Sequence, residues 1–300
     1  MKKCLAVALP LAVALTALIT WFSALYVFER PVFDESVEQK TIASAALGEQ
    51  RDYLVHLPES YGRAPGRRYP VIYVLDGSSQ DLHTAASAAL MARIGVTPEF
   101  IVVGIPNVDG KGRQRDYTPP GMRQDIDVDD GPDGRADAFL AFLRGELIPE
   151  IERSYRTTSS RFLAGNSRGG LFVVYALTAE PALFETYLAN SPAMWRDEDE
   201  MVGRLERFLR ENPSTESALF LSLGEEENDK MKGAFERTVA ALRSHAPATL
   251  RWRAQLTPGA VHRDNARRAT PVALRWAHEP GWVPPGEEPP GSRHDGAIVR

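Results

Sequence analysis

The run Tyr69–Leu75 (YPVIYVL) constrains this chain more than any other stretch, because it is almost wholly apolar and β-branched and closes at the turn Asp76-Gly77-Ser78-Ser79. A strand with one wet face alternates polar and apolar residues. A strand this uniformly apolar is covered on both faces, as in a parallel sheet held between helices. Phe100–Ile105 (FIVVGI) repeats the pattern and closes at Pro106-Asn107. Further strands are predicted over 51–57, 161–164, 187–189, 218–223 and 250–256. Helices are predicted over 81–94, 136–155, 171–184, 197–210 and 229–245, the second with Phe139, Phe142, Leu143, Leu147 and Ile151 at helical spacing. A last helix is predicted to open at Pro271 with Thr270 as its N-cap. This alternation from residue 69 to 278 predicts an α/β fold with a mostly parallel central sheet and helices on both faces. In such sheets ligands bind beyond the carboxyl ends of the strands, so the chemistry is sought in the loops that leave them.

Residues 51–278 read as one domain, which a chain of 300 residues readily accommodates. Residues 31–50 read as linker and domain entry. Residues 108–134 (DGKGRQRDYTPPGMRQDIDVDDGPDG and flanks) read as an irregular polar loop, of a length that commonly carries function. Residues 279–300, rich in Pro and Gly and without apolar periodicity, read as a mobile tail.

Lys2 and Lys3 are followed by a run without charge from Cys4 to Phe28. As a helix it spans roughly 36 Å, enough for a hydrocarbon core of about 30 Å. Residues 1–30 therefore read as an N-terminal membrane anchor. A cleaved signal peptide is the competing reading, and the length and bulky end of the run weigh against it. Either reading exports the domain, anchored to the inner membrane and facing the periplasm, or secreted to the periplasm. Cys4 is the single cysteine, so the domain has no disulfide and no thiolate metal site. A net charge of −5 without a basic stripe gives no reason to expect nucleic acid. Histidines and carboxylates show no metal-ligand spacing such as H-E-x-x-H, and neither metal nor cofactor is expected.

Gly165-Asn166-Ser167-Arg168-Gly169 is a G-x-S-x-G between a short apolar strand and an apolar helix. On a tight strand-to-helix turn the serine hydroxyl projects into the site, and the glycines permit the close packing the turn needs. This is the nucleophile elbow of the α/β-hydrolase fold, with Ser167 as candidate nucleophile. A helix N-terminus favours developing negative charge. The Arg168 amide is then one oxyanion donor, and the Gly77 or Ser78 amide, after the 69–75 strand, is the other. The chain order of this fold puts the base after the acid, near the end. Of the histidines only His262 lies in a loop between the last strand and the last helix. The acid should leave strand 218–223, where Glu225, Glu226, Glu227 and Asp229 follow; Glu227 is chosen, with Glu226 and Asp229 as alternatives. Arg115, Tyr117 and Trp195 are candidate cleft-lining, substrate-binding residues.

The segments YPVIYVLDG, RQRDYTP, FLRGELIPEIERSYRT, RFLAGNSRGGLFVVYAL and LFETYLANSPAMW, with a late histidine before a helix, resemble the Putative esterase family of α/β hydrolases over roughly residues 45–278. That family includes S-formylglutathione hydrolases, mycolyltransferases and siderophore trilactone esterases, and Ser191-Pro192-Ala193-Met194-Trp195 and Arg-Asp-Tyr-Thr-Pro look most like the last. The resemblance implies a metal-free serine esterase acting on small carboxylic esters through an acyl-enzyme. It also implies an acid three residues after the glycine of the strand before it, which matches Glu227, or a Ser–His dyad where the acid is weak. Arg168 departs from the Met or Leu common beside the nucleophile. The alternatives are acyl transfer to an alcohol acceptor, a non-catalytic binding protein on the same fold, and a peptidase, for which the chain lacks room for the usual extra domains.

Overall fold

A computed structural model describes residues 37–123, 134–279 and 298–299. Strands β1 (Val37–Ser44), β2 (Glu49–His56), β3 (Tyr69–Leu75), β4 (Ile101–Ile105), β5 (Thr157–Asn166), β6 (Thr186–Asn190), β7 (Ala218–Gly224), β8 (Arg251–Thr257) and β9 (Ile298–Val299) form one sheet. Their order is β1-β2-β4-β3-β5-β6-β7-β8-β9. The pairings β1–β2 and β2–β4 are antiparallel and the rest are parallel.

Successive strand residues point to opposite faces, and β3 divides accordingly. Tyr69, Val71, Tyr73 and Leu75 join one core, and Ile72 and Val74 join the other. The second core is closed by α1 (Asp81–Arg93) and by α8 (Asn265–Ala277), whose Ala269, Ala273, Leu274 and Trp276 pack with Phe162 and Phe220. The first core is closed by α3 (Ala136–Phe142) and α4 (Ile148–Ser154), α5 (Arg168–Ala179), α6 (Glu200–Glu211) and α7 (Asp229–His245), through residues such as Phe139, Phe172, Leu205 and Phe235. Helices thus cover both faces of a mostly parallel sheet, and this is the α/β-hydrolase fold.

Several elements differ from expectation. Residues 37–44, read as linker, form β1, which pairs along its whole length with β2. From Glu38 to Ala43 its residues alternate between half-buried and exposed, so it lacks the strong apolar signal of β3. Within 108–134 stands a short helix, α2 (Gly110–Tyr117), capped by Asp109, whose Oδ1 accepts from the Gly112 amide at 2.6 Å. Two glycines and no apolar stripe hide it from periodicity; ion pairs from Arg113, Arg115 and Asp116 to other elements hold it.

The helix predicted over 136–155 is interrupted by a π turn at Leu143–Leu147. Pro149 is the second residue after it; it has no N–H for the carbonyl four residues back, and a helix widens where that bond is missing. The last helix begins at Asn265, so Thr270 is not its cap and Pro271 lies inside it. Thr270 Oγ1 instead donates to the Ala266 carbonyl at 2.7 Å. The carbonyl that Pro271 leaves without a helical donor belongs to Arg267, an exposed residue, where water can serve it. In the tail, Ile298 and Val299 pair with Ala254 and Gln255 of β8. The predicted anchor at 1–30 and the rest of the tail, 280–297 and 300, lie outside the described residues. Among the described residues no helix is long and apolar enough to cross a membrane.

Candidate active site

The carboxyl ends of β3, β5, β6, β7 and β8 open on one edge of the sheet, because these strands run parallel and in register: Asn166 pairs with Asn190, Asn190 with Ser222, and Gly224 with Thr257. Ser167 is the single residue between β5 and α5, at φ 59° and ψ −118°. For a residue with a Cβ this backbone costs on the order of 1–3 kcal/mol, and it persists only where its surroundings enforce it. They do so here. The Ser167 amide donates to the Asn190 carbonyl at 3.0 Å, and its carbonyl accepts from Leu171 and Ala193, each at 3.0 Å. Gly165 is required by contact, since a Cβ there would stand 2.5 Å from the Gly169 backbone. Ser167 itself remains partly exposed.

The acidic turn after β7 sorts its carboxylates by burial. Glu225, Glu226 and Asp229 are exposed, whereas the Glu227 side chain is fully buried. Glu227 Oε2 lies 2.8 Å from His262 Nδ1, and Oε1 accepts from the Gly224 amide at 2.9 Å and from Ser191 Oγ at 2.5 Å. A carboxylate can only accept, so Nδ1 carries the proton in this contact and Nε2 is left as the basic nitrogen. The two loops are laced together by backbone: the Glu225 amide donates to Thr257 at 3.0 Å and the Glu226 amide to Ala260 at 2.9 Å. His262 keeps 43% of its side chain exposed.

Behind this contact lies a buried polar chain that periodicity could not find. Asn265 Nδ2 donates to Ser191 Oγ at 2.8 Å and to Ser222 Oγ at 3.0 Å, and Ser222 Oγ donates to Asn190 Oδ1 at 2.7 Å. All four residues are buried, and Ser191 holds φ at 42°. Position relative to the sheet was the available signal: Asn190 and Ser191 leave β6 beside the elbow, and Asn265 opens the helix after His262.

Of the two amides named after β3, that of Gly77 is committed to the Ile105 carbonyl at 2.9 Å. A Cβ at residue 77 would meet Ile105 N at 2.5 Å, so the glycine serves close strand contact. This removes Gly77 as an oxyanion donor and leaves Ser78, at φ 71°. Arg168 opens α5, and its side chain turns inward, with Nη1 2.9 Å from Thr118 Oγ1.

Two of the three predicted lining residues are employed elsewhere. Tyr117 is fully buried against Phe139 and Phe172, and its hydroxyl accepts from the Asp76 amide at 3.2 Å. Burial pushes that hydroxyl well above the usual phenol range. Arg115 is paired with Asp116 and Glu49, each at 2.7 Å, in a cluster that also holds the buried Arg51. Trp195 is partly exposed just after the β6 exit, with Arg196 and Lys230 at 5.4 and 5.8 Å from its ring. Among the described residues no cluster of three or more His, Cys, Asp or Glu side chains could hold a metal ion.

The chain is 30% identical over 217 residues to the ferri-bacillibactin esterase BesA of Bacillus subtilis, an alignment covering 64% of this chain and 74% of that one. It is 31% identical over 167 residues to the siderophore enterobactin esterase of Emericella nidulans, covering 49% of this chain and 54% of the relative, so it spans only about half of that fungal protein. Among solved structures, an IroE-like serine hydrolase from Shewanella oneidensis superposes with a TM-score of 0.72 at 28% identity, covering 80% of this chain and 79% of the other. Residues 44–265 match the family model described as Putative esterase, and with the elbow and the strand-exit loops in place the chain belongs to the Putative esterase family of α/β hydrolases.

Proposed function

We propose that the protein is a serine esterase that cleaves siderophore-type carboxylic esters through an acyl-enzyme, with Ser167 as nucleophile, His262 as general base and Glu227 as the residue that orients it. The observation that carries this reading is the 2.8 Å contact between His262 Nδ1 and the buried Glu227 carboxylate, on the strand edge that presents the Ser167 elbow. In the first half-reaction Ser167 Oγ bonds to the ester carbonyl carbon while its proton passes to His262 Nε2. The tetrahedral oxyanion is met by the Arg168 and Ser78 amides. The carbon–oxygen bond to the alcohol then breaks, and the His262 proton goes to the departing alkoxide. Water repeats the sequence: it loses a proton to Nε2, attacks the acyl carbon, and releases the acid as Ser167 regains its hydrogen.

The siderophore class is supported by the names of the two esterase relatives. Trp195 would line the cleft, where its aromatic face suits an apolar or aromatic acyl group. Export is supported by the uncharged run from Cys4 to Phe28, which would carry the domain across the inner membrane.

The test is labelling of the full chain with a fluorophosphonate, peptide mapping, and hydrolysis of enterobactin, bacillibactin and p-nitrophenyl butyrate. A single adduct on Ser167, absent in His262→Ala, with faster turnover of the siderophores, is the expected result. No adduct on a folded chain would overturn the serine mechanism. An adduct with turnover of the simple ester alone would overturn the substrate class.

A further inference from the structure

Next to the elbow lies an ion pair that no step above uses. Arg113 of α2 grips Asp76 with both arms of its guanidinium, Nε to Oδ1 at 2.6 Å and Nη2 to Oδ2 at 2.8 Å. The same Nη2 lies 3.4 Å from the carbonyl of Asn166, the residue before Ser167. Asn107 Nδ2, from the β4 exit, adds a second donor to Asp76 Oδ1 at 2.6 Å, and the Asp76 amide is tied to the Tyr117 hydroxyl. Asp76 also touches the start of α5, since a Cβ on Gly169 would lie 3.2 Å from Asp76 Oδ2.

The turn held in this way is costly on its own. Asp76 and Ser78 both carry positive φ, 57° and 71°, with Gly77 between them pinned to Ile105. Residues with a Cβ relax from such angles unless the surroundings enforce them. The enforcing group is on α2, and it reaches the elbow as well as the turn.

We propose that Arg113 is a positioning residue for the oxyanion hole: by bridging Asp76 and the Asn166 carbonyl it fixes the Ser78 amide relative to the Arg168 amide. This rests on the serine mechanism proposed above. Arg113 touches no reacting atom. Its effect belongs to the transition state, because only the oxyanion uses both amides together. A displacement of about 1 Å in such a site costs on the order of 10²-fold in rate.

The experiment uses the full chain with Arg113→Met and Arg113→Lys, p-nitrophenyl butyrate as substrate, and an alkyl trifluoromethyl ketone as a reversible mimic of the tetrahedral oxyanion. Arg113→Met should lower kcat about 10²-fold and raise the ketone Ki by a similar factor, with KM changed by no more than about threefold. Arg113→Lys keeps the charge but not the two-armed grip, and should show the same split at about 10-fold. It also serves if the methionine variant does not fold. As a control, Arg161→Met breaks the pair with Glu152 near the middle of β5, away from the elbow at its carboxyl end, and should lower Tm while kcat and Ki hold. Unchanged Ki in both Arg113 variants, or a rise in KM alone, overturns the inference. A wild-type chain that neither turns over the ester nor binds the ketone overturns the serine mechanism and this inference with it, which separates the two failures.

Discussion

His262 Nδ1 stands 2.8 Å from Glu227 Oε2, and the carboxylate that holds it is sealed from solvent while nearly half of the imidazole is exposed. In the mechanism proposed above, the buried partner fixes orientation and the exposed partner meets the substrate. The Glu227 carboxylate accepts from three donors, Ser191 Oγ, the Gly224 amide and the ring N–H. In Glu227→Gln one of these meets an NH2 group instead of an acceptor. The expected outcome is a kcat lowered by 10²- to 10⁴-fold with KM little changed, read from steady-state ester hydrolysis.

Ser191→Ala tests the chain behind that contact. It leaves a buried carboxylate oxygen short of one donor and Asn265 Nδ2 short of one acceptor. Each group keeps one partner, the Gly224 amide and Ser222 Oγ, so both are weakened and neither is orphaned; urea unfolding should show a total loss of about 1–3 kcal/mol. A loss of activity should accompany it, smaller than that of the Glu227 variant, because the His262 contact is only loosened.

The elbow backbone makes a prediction of opposite sign. Ser167 at φ 59° and ψ −118° sits where only glycine is at ease. Ser167→Gly should therefore be inactive and more stable than Ser167→Ala by about 1 kcal/mol, since relief of strain outweighs the extra freedom glycine gives the unfolded chain. Thermal unfolding of the two variants side by side checks this.

His83 supplies a pH dependence of stability. Its burial, with Arg267 nearby, depresses its pKa from 6.5 to about 4; Asp81 opposes the shift without cancelling it. The folded state therefore resists a proton that the unfolded state accepts. Stability from this group is intact above pH 6.5 and is lost as pH falls from 6.5 toward 4, by about 3 kcal/mol in all. Replacing His83 with Gln should flatten that part of the stability–pH curve, measured by denaturant unfolding at pH 7, 5.5 and 4.5 and compared with the parent chain.

By itself the sequence determined the class of the fold and pointed to the two most local features of the candidate site. A run of seven apolar residues, rich in β-branched ones and bounded by turn residues, such as Tyr69–Leu75, reads as a strand covered on both faces, and a G-x-S-x-G between strand and helix reads as a turn whose chemistry is written in consecutive residues. Chain order singled out His262, because a loop between the last strand and last helix must open on the same edge. Tertiary structure decided what depends on contact between distant segments. The Glu227 carboxylate is set apart from Glu226 by burial and by its contacts with His262, Ser191 and the Gly224 amide, and both are properties of the packed chain. The helix Gly110–Tyr117 has no apolar stripe and is held by ion pairs to residues far away in sequence. Tyr117 and Arg115 look like cleft residues in a polar loop, yet one fills the core and the other joins a charge cluster. The Gly77 amide was excluded as a donor by the carbonyl of Ile105, a partner that only the pairing of β3 with β4 brings near. Periodicity records which face a residue presents; which polar group meets it there depends on strand order, and strand order is set by the balance of the whole core.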